Sequence, residues 1–438
     1  MAKREDTAIR RSLASILPKA KIKRLAKQTG AVQRRRKVDI VAFVYALVLG
    51  FSTNAERTIA GLRRTFERAA GVRLAPSAFY DRFTEPLTRL LERLIVDALR
   101  TIAQRKPRMR GVCERFREVL ACDASLLRLH NALEEFYPSV FTHYMKASAK
   151  LCVVMNVIGR GVKSIGIFPG STHDLNTIRV GRWLAGRLLV FDLGYFRSEL
   201  FREIGNVGGY YLTRLKQHNN PLILATNRPE HRWLVGWQLT DALHYLVSDT
   251  LDLDVELRYV LRRGPRKGRH TLRARIVGLR DPESRELRLY VTNAPQTHLE
   301  ARHVAAIYAA RWEIELLFRE LKVRYRIEQT ASKRRWVTES LIYAAILTLL
   351  VAHALRRWFL AKHRALADRA PFERWAILVE AFSLDLLDIA IGPRDLRLPL
   401  ARRLVPLLSH EAIDPNKWRM HLVERAGKGT LLEHRNGA

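Results

Sequence analysis

The sequence has few cysteines and no long uninterrupted apolar run. Its three cysteines, Cys113, Cys122 and Cys152, show neither the paired spacing of a disulfide framework nor the spacing of a metal-binding motif. We therefore expect a reduced, intracellular compartment and no structural zinc. The longest apolar run, residues 341–355, is interrupted by His353 and is too short to span a bilayer. The first residues are charged and lack the apolar core of a signal peptide.

Acidic residues are also scarce, since 43 Asp and Glu stand against 77 Lys and Arg, a formal net charge of +34. The 438 residues, 48% of them hydrophobic, are enough to bury a large core. A folded body this basic repels itself unless a polyanion neutralises it, and nucleic acid is the usual polyanion. Residues 1–37 carry 13 basic and two acidic residues, including Arg34, Arg35 and Arg36. Such an arm is either a solvated tail or a grip on DNA phosphates, and in this basic chain we predict the grip.

The N-terminal region is predicted to be helical. Residues 53–70 read as a helix with an N-cap at Ser52 or Thr53. A turn at Gly71 and a second short segment over 76–83 follow. Helix, tight turn and short helix together suggest a helix-turn-helix.

From residue 117 onward the pattern changes to short β-rich runs, which predict an α/β unit with a mixed sheet. Further β-rich runs between residues 217 and 296 predict an insertion within that unit. The expected order is strands at 118–121, 151–158 and 163–168, a helix at 173–184, a strand at 187–191, a helix at 198–204 and a strand at 209–215.

Two aspartates, Asp123 and Asp192, each lie where a predicted strand runs into a loop. Carboxylates at adjacent strand ends can point at a common spot, and a third from a helix can complete the group. Such a group suits Mg²⁺ or Mn²⁺, because these hard ions prefer oxygen ligands. Two such ions can activate a water or a 3′ hydroxyl and stabilise the leaving oxygen of a phosphodiester. Taken singly, each aspartate is equally a turn or cap residue.

A third carboxylate lies on a predicted helix over residues 308–322, a stretch without Gly or Pro. At about 100° per residue, its apolar side chains fall on one core-facing arc. Tyr308, Arg311, Glu315 and Lys322 fall on the flanking arc, within roughly 60° of one another. One helix edge would thus carry a phenol, a guanidinium, a carboxylate and an ammonium. An ordinary amphipathic helix with charges at its solvent rim is the alternative for this pattern alone.

The spacing of these four residues, Y-(2)-R-(3)-E-(6)-K, resembles the signature of the insertion-sequence-four family of bacterial DDE transposases. Asp123-Ala-Ser resembles the first acidic motif of that family, and Asp192-Leu-Gly-Tyr-Phe resembles its second. The loop Gly170-Ser-Thr-His-Asp174 also resembles a recurrent stretch of these enzymes. The resemblance covers roughly residues 115–355.

For the fold, the resemblance implies an α/β protein with a ribonuclease-H-like catalytic core that contains a β-rich insertion. A helical N-terminal DNA-binding region and a helical C-terminal region flank this core. The implied division is 1–115 for DNA binding, 116–216 for the first part of the core, 217–296 for the insertion, 297–355 for the second part of the core with the glutamate helix, and 356–438 for a C-terminal region with a dimerisation role.

For the site, the resemblance implies that three acids are catalytic and bind two Mg²⁺ ions per active site, with Mn²⁺ as a substitute. Basic and aromatic side chains would contact DNA, among them Trp233 and Trp237, which could stack on a flipped base. For these two indoles we favour core packing as the alternative. The implied metal ligands are Asp123, Asp192 and Glu315, and the implied phosphate contacts are Tyr308, Arg311 and Lys322. Arg319 lies on the same helical arc, and we predict it as a further phosphate contact. His173 and Asp174 receive no chemical role, and for Asp174 we predict a helix N-cap.

For function, the resemblance implies cut-and-paste transposition of an insertion sequence. Hydrolysis at the element end would release a 3′ hydroxyl, which attacks the other strand to leave a hairpin that is reopened for strand transfer into target DNA. The implied partners are double-stranded DNA, as terminal inverted repeats and target, and a second copy of the chain in a homodimer. No membrane is implied, and the place of action would be the bacterial cytoplasm, at the nucleoid.

Three alternatives stay open. A tyrosine recombinase needs a His-x-x-Arg element, which occurs at His270 and at His353, but chance explains both in an Arg-rich chain and no Tyr lies in a convincing context. Another ribonuclease-H-like endonuclease, such as a resolvase or a domesticated nuclease, would share the acids without needing the Tyr, Arg and Lys companions. A non-catalytic DNA-binding regulator should have lost one of the three acids, and none is missing.

Overall fold

The protein is an α/β molecule in which one large sheet is combined with many helices. The computed structural model describes residues 2–32, 38–51, 58–103, 111–141, 143–158, 161–262, 267–281, 283–329, 332–363 and 370–413. The predicted basic contacts Arg34, Arg35 and Arg36 and the predicted N-caps Ser52 and Thr53 lie outside these ranges.

The helices and strands follow the predicted alternation in most of the chain. The α-helices of the described residues are α1 (Ala2–Ile16), α2 (Lys19–Thr29), α3 (Ile40–Ala46), α4 (Ile59–Ala70), α5 (Pro76–Tyr80), α6 (Glu85–Ala103), α7 (Ser198–Asn206), α8 (Leu239–His244), α9 (Ala301–Ala309), α10 (Trp312–Arg319), α11 (Arg335–Lys362), α12 (Phe372–Ala381), α13 (Ser383–Ile391) and α14 (Arg394–Glu411). The strands are β1 (Glu118–Arg128), β2 (Ser148–Asn156), β3 (Val162–Pro169), β4 (Arg187–Phe191), β5 (Tyr210–Arg214), β6 (Leu222–Thr226), β7 (Thr250–Leu261), β8 (Gly268–Arg280) and β9 (Leu287–Thr292).

The sheet has the strand order β3-β2-β1-β4-β5-β9-β8-β7-β6. Strands β1, β2 and β3 are antiparallel neighbours, whereas β4 runs parallel to both β1 and β5. The continuous apolar run Val119–Cys122 in β1 is fully buried, as expected for a strand covered on both faces. Strand β9 pairs antiparallel with β5, so the β-rich runs between residues 217 and 296 extend the same sheet.

Helix α11 crosses the centre of the molecule. By length and composition it could cross a membrane, but the protein buries 94% of its most apolar 18-residue window. Thr348 in this helix donates a hydrogen bond to the carbonyl of Val48, in the turn that continues α3. A helix that is apolar all round belongs in the core of a large protein, and α11 holds that place here.

The predicted helix, turn and short helix of the N-terminal region are present as α4 and α5, joined at Gly71. Thr58 caps α4 by accepting a hydrogen bond from the backbone of Gly61 at 2.9 Å, and Gly71 ends the helix in the left-handed conformation. Phe66 and Phe79 pack against each other with ring centroids 5.9 Å apart, which fixes the two helices. Helix α5 has only five residues, fewer than the 76–83 segment predicted.

The predicted helix over residues 173–184 is wrong. The structure has two single 3₁₀ turns there, Asp174–Asn176 and Arg182–Leu184, separated by irregular backbone. Long-range contacts override the local helical pattern, because Lys150 binds Asp174 and Tyr195 contacts Thr177. The predicted N-cap at Asp174 is also wrong, since His173 is the residue whose side chain accepts from the backbone of the turn.

Candidate active site

Strands β1 and β4 bring Asp123 and Asp192 side by side. The parallel register aligns Cys122 with Phe191, so the next residue on each strand is an aspartate. Strand β4 ends at Phe191, whereas β1 continues to Arg128 and pairs there only with β2. Both carboxylates therefore lie at the carboxyl end of the parallel pair, where open α/β sheets bind their ligands.

The predicted helix over residues 308–322 is present but is divided into three parts. Consecutive i→i−3 hydrogen bonds, including Arg311 N to Tyr308 O at 3.0 Å and Ile314 N to Arg311 O at 3.0 Å, tighten the backbone between α9 and α10. After α10 the helix widens into a π turn, Glu320–Arg324. The predicted core-facing arc is confirmed, because Ile307, Ala310, Ile314, Leu317, Phe318 and Leu321 are all buried.

Buried contacts of Glu320 explain the π turn. Its carboxylate accepts a hydrogen bond from the Tyr325 hydroxyl at 3.1 Å and lies 3.2 Å from Nε2 of His353 in α11. These partners hold Glu320 inside the core, and the backbone widens so that Tyr325 N bonds to Glu320 O. A π turn of this kind often adjoins a functional site, because it changes the direction of the side chains that follow.

Arg311 joins Asp123 to Glu315. Its Nη1 donates to Asp123 Oδ2 at 3.1 Å, and its Nη2 lies 2.7 Å from Glu315 Oε1. The Arg311 side chain is 17% exposed, and those of Asp123 and Glu315 are 19% and 32% exposed. The helix thus brings Glu315 to β1, where Glu315 and Asp123 bind the same guanidinium.

The electrostatics at this point are those of crowded acids. Burial raises the pKa of Asp123 to about 6, although the Ala124 backbone N–H and the Arg311 guanidinium act to lower it. The negative charges of Asp192 and Glu315 raise the Asp123 pKa further. The pKa of Arg311 is raised, because the acids around it outweigh the opposing effect of burial.

Tyr308 and Lys322 flank the acids on either side. The Tyr308 ring lies 6.0 Å from the guanidinium of Arg311, and burial raises its pKa to about 12, with Asp192 contributing. Lys322 donates from Nζ to the carbonyl of Leu126 in β1 at 2.8 Å and lies 2.8 Å from Glu328. Lys322 thus contacts β1, the strand that carries Asp123.

The other predicted DNA contacts lie apart from the acids. Arg319 pairs with Glu373 of α12 at 3.2 Å, and both side chains are 53% exposed. Trp233 and Trp237 are 47% and 38% exposed, so the core packing that we favoured for them is wrong. Their rings meet edge to face at 5.6 Å, and Tyr245 adds a third exposed ring 5.6 Å from Trp237.

Two supporting residues were not identified from the sequence. Lys150 in β2 donates to Asp174 Oδ1 at 2.6 Å, which gives the 170–174 loop a structural role beside Asp192. The same loop explains Gly194, since a Cβ there would lie 2.9 Å from Asp174 Oδ2. Arg214, at the end of β5, acts electrostatically on Tyr308. Neither basic residue stands in a recognisable motif, and only the sheet register brings them to the site.

The donor set fits a hard divalent cation in kind. The carboxylates of Asp123 and Glu315 meet at Arg311, and oxygen ligands are what Mg²⁺ and Mn²⁺ prefer. In the described part of the chain, however, no three acidic, His or Cys side chains are already arranged as metal ligands. The guanidinium of Arg311 lies between Asp123 and Glu315 and binds both carboxylates.

Comparison with known families agrees with this geometry. Residues 114–351 match the family model of the transposase DDE domain, more than half of the chain. The chain belongs to this family of DDE transposases. Nuclease and strand-transfer activity on DNA, supported by divalent metal ions, is the general chemistry of the family.

Individual relatives are transposases of bacterial insertion sequences. The chain is 20% identical to the transposase for element IS231F of Bacillus thuringiensis subsp. israelensis, over 75% of this chain and 76% of the relative. It is 18% identical to the transposase for element IS1151 of Clostridium perfringens, over 76% and 77% respectively. A solved synaptic complex of piggyBac transposase with hairpin DNA aligns with 93% of this chain and 86% of that chain at 10% identity, with a TM-score of 0.47. Similarity at that level does not define a shared fold.

Proposed function

We propose that the chain is the transposase of a bacterial insertion sequence of the insertion-sequence-four type, and that it moves its element by cut-and-paste transposition. Asp123, Asp192 and Glu315 are the catalytic acids in this proposal. The observation that carries it is the meeting of Asp123 and Glu315 on one guanidinium, with the charge of Asp192 acting on the same carboxylate. The strand order β3-β2-β1-β4-β5, with its mixed directions, supports a ribonuclease-H-like core.

The three acids would hold two Mg²⁺ ions, with Mn²⁺ as a substitute. When bound, the ions activate the attacking oxygen and stabilise the charge on the leaving oxygen of the phosphodiester. The first attack, by water, breaks the bond between phosphorus and the 3′ oxygen at the element end and leaves a 3′ hydroxyl and a 5′ phosphate. In the second, that 3′ hydroxyl attacks the opposite strand, so one phosphodiester replaces another. The rigid ends of β1 and β4 keep the carboxylates aligned during both steps.

Phosphate contacts fix the register of the DNA on the site. Tyr308, Arg311 and Lys322 border the acids and offer a hydroxyl and two cations to phosphate oxygens. Arg319 and the basic arm with Arg34, Arg35 and Arg36 are proposed as further contacts.

A hairpin intermediate requires a sharply bent strand and at least one unstacked base. The exposed rings of Trp233 and Trp237 support this step, because an aromatic face stabilises an extruded base. Tyr245 enlarges the same aromatic surface. We propose that the chain acts as a homodimer on paired element ends and cleaves in trans, with residues 1–115 recognising the ends and residues 356–438 contributing to the dimer.

The test is excision from a plasmid that carries the element with its own ends. We expect the wild-type protein to release the element in Mg²⁺ and Glu315→Gln to bind the ends without cutting them. The substitution keeps the size of the side chain and removes the charge that binds the metal. Glu313→Gln, two residues away on α10, is the matched control and should cut at near the wild-type rate.

Equal cutting by wild type and Glu315→Gln would remove Glu315 from the site and with it the proposal. If neither protein cuts while both bind the ends, the regulator alternative becomes the better account. A product cut at the ends by wild type but never strand-transferred into a target would favour an endonuclease.

A further inference from the structure

The position of Arg311 conflicts with the binding of a metal by the same acids. Its guanidinium uses Nη1 for Asp123 and Nη2 for Glu315, the two carboxylates that a shared cation would have to contact. A guanidinium and a divalent cation repel each other, and the distances of 3.1 and 2.7 Å leave no room for an ion between the arginine and its partners. The arginine therefore takes one oxygen of each carboxylate, and a metal ion bound by the same oxygens would have to displace it.

Apart from these acids, Arg311 contacts the side chain of Tyr308, whose ring centroid lies 6.0 Å from the guanidinium. Its Nε is buried and has no hydrogen-bond partner in the described part of the chain, and its side chain remains 17% exposed. Its backbone lies in the tightened turn between α9 and α10. A phosphate, which accepts two parallel hydrogen bonds from a guanidinium, would be a good alternative partner.

We propose that Arg311 and the catalytic divalent cation compete for Asp123 and Glu315, and that a phosphate of the bound element end takes the guanidinium away. This inference rests on the proposed function and adds that DNA binding regulates access of the metal to the acids. Without DNA the arginine neutralises the acids and keeps the metal site closed. Binding of the end transfers the arginine to the DNA and opens the site, so DNA raises the affinity for metal. By linkage, the metal raises the affinity for DNA by the same factor.

The first measurement is Mn²⁺ binding to the full-length protein without DNA, followed by the electron paramagnetic resonance of free Mn²⁺. We expect Arg311→Gln to bind Mn²⁺ at least about tenfold more tightly than wild type. The gain in affinity is diagnostic, since loss of a merely structural arginine would weaken binding. Arg302→Gln, on α9 and in an exposed pair with Glu300, is the matched control and should bind like wild type.

Arg311→Lys guards against a folding defect in the glutamine variant. An ammonium keeps the positive charge but cannot hold both carboxylates in the forked geometry of a guanidinium, so this variant should also bind Mn²⁺ more tightly than wild type. Thermal melting of each variant, close to that of wild type, would establish that the comparison is made on folded protein.

The second measurement adds a pre-cleaved duplex that ends in the terminal inverted repeat flanking the gene. We expect the duplex to raise the Mn²⁺ affinity of wild type at least about tenfold and that of Arg311→Gln by less than about threefold. Equal Mn²⁺ affinities of wild type, Arg311→Gln and Arg311→Lys without DNA would overturn the inference. Failure of the proposed function looks different: Glu315→Gln would then bind Mn²⁺ as well as wild type, with and without the duplex.

Discussion

Two Asp–Arg pairs, one within the sheet and one between the sheet and helix α10, show how differently one chain uses the same two residue types. Asp252 on β7 and Arg275 on β8 face each other in the part of the sheet that was predicted to be an insertion. Asp123 on β1 and Arg311 at the start of α10 face each other at the candidate active site. Both side chains of the first pair are buried, whereas both side chains of the second pair are partly exposed.

Arg275 has nearly all of its donors satisfied. It binds Asp252 through two parallel hydrogen bonds of 2.7 Å, and its third nitrogen donates to the carbonyls of Ala294 and Leu299. The two side chains are 4% and 1% exposed. Arg311 instead divides itself between two acids, leaves Nε without a partner among the described residues and remains partly exposed.

The difference separates a structural pair from a functional one. A buried, bidentate pair with nearly all of its donors satisfied stabilises one conformation, because every alternative leaves a charge buried without a partner. A guanidinium that is shared between acids and keeps an unsatisfied donor can have other partners at similar free energy. A site that exchanges ligands requires such alternatives.

Breaking the buried pair should give the largest effect on stability. We expect Arg275→Met to lower the free energy of unfolding by about 3–5 kcal/mol, because Asp252 keeps its charge in the core after its partner is lost. Urea unfolding monitored by tryptophan fluorescence measures the change. Arg258→Gln, at an exposed pair with Glu256, is the control and should change the free energy by less than about 0.5 kcal/mol. A similar loss in both variants would contradict the distinction.

Glu118, five residues before Asp123 on β1, extends the comparison along one strand. Lys163 and Arg187 lie 2.6 and 2.7 Å from its carboxylate. Burial acts to raise the pKa of Glu118, but these two cations outweigh it and hold the pKa below 4.5. The ionised form therefore stabilises the fold above pH 4.5, and this contribution is lost as the pH falls through the lowered pKa. We expect Glu118→Gln to destabilise the protein by about 2–3 kcal/mol at pH 7 and by progressively less as the pH falls through the lowered pKa of Glu118, measured by urea unfolding in a pH series.

Asp123→Asn should change stability in the opposite direction. The folded pKa of Asp123, about 6, lies above its ordinary value of 3.8. Protonation of this group therefore stabilises the fold, fully below pH 3.8, and the contribution is lost as the pH rises through 6. In metal-free protein at pH 7.5 we expect Asp123→Asn to be more stable than wild type by about 1–2 kcal/mol. The difference in stability between Asp123→Asn and wild type should be smaller at pH 5, measured by thermal melting at pH 7.5 and pH 5. A destabilised variant at pH 7.5 would show that Asp123 is a structural acid like Glu118.

The smallest effect is expected at Arg319. Its pair with Glu373 is exposed on both sides, so Arg319→Gln should change the free energy of unfolding by less than about 0.5 kcal/mol. If Arg319 contacts phosphate, the variant should bind DNA more weakly. The slope of the logarithm of the binding constant against the logarithm of the salt concentration should fall by about one, measured by fluorescence anisotropy in a salt series. Unchanged DNA binding would remove Arg319 from the DNA surface.

The approach of Glu315 to Asp123 was predictable from the sequence because local patterns mark where each acid lies. Apolar runs end at Asp123 and Asp192, and an uninterrupted helical period carries Glu315. Most strands were predictable for the same reason. Two features depend on residues far apart in the chain and left no local signal. The pairing of β5 with β9 extends the sheet through the predicted insertion, and the contact of Glu320 with His353 widens the helix into a π turn.

The role of Arg311 shows the limit of a helical projection most clearly. The projection correctly grouped Arg311 with Glu315 on one edge, but it contains no partner strand. Only the approach of α10 to β1 shows that the guanidinium reaches Asp123 rather than solvent. The exposure of Trp233 and Trp237 was missed similarly, because aromatic residues in a β-rich stretch resemble core residues until the sheet is assembled.

Our central proposal is that Asp123, Asp192 and Glu315 bind a metal ion together. Affinity cleavage tests it directly: Fe²⁺ replaces Mg²⁺ in the complex with a pre-cleaved element end, and ascorbate with peroxide generates radicals that cut the polypeptide beside the ion. We predict cuts close to residues 123, 192 and 315 in the wild-type chain and their loss in Glu315→Gln. Cuts at other positions only, or the same cuts in both proteins, would contradict the claim.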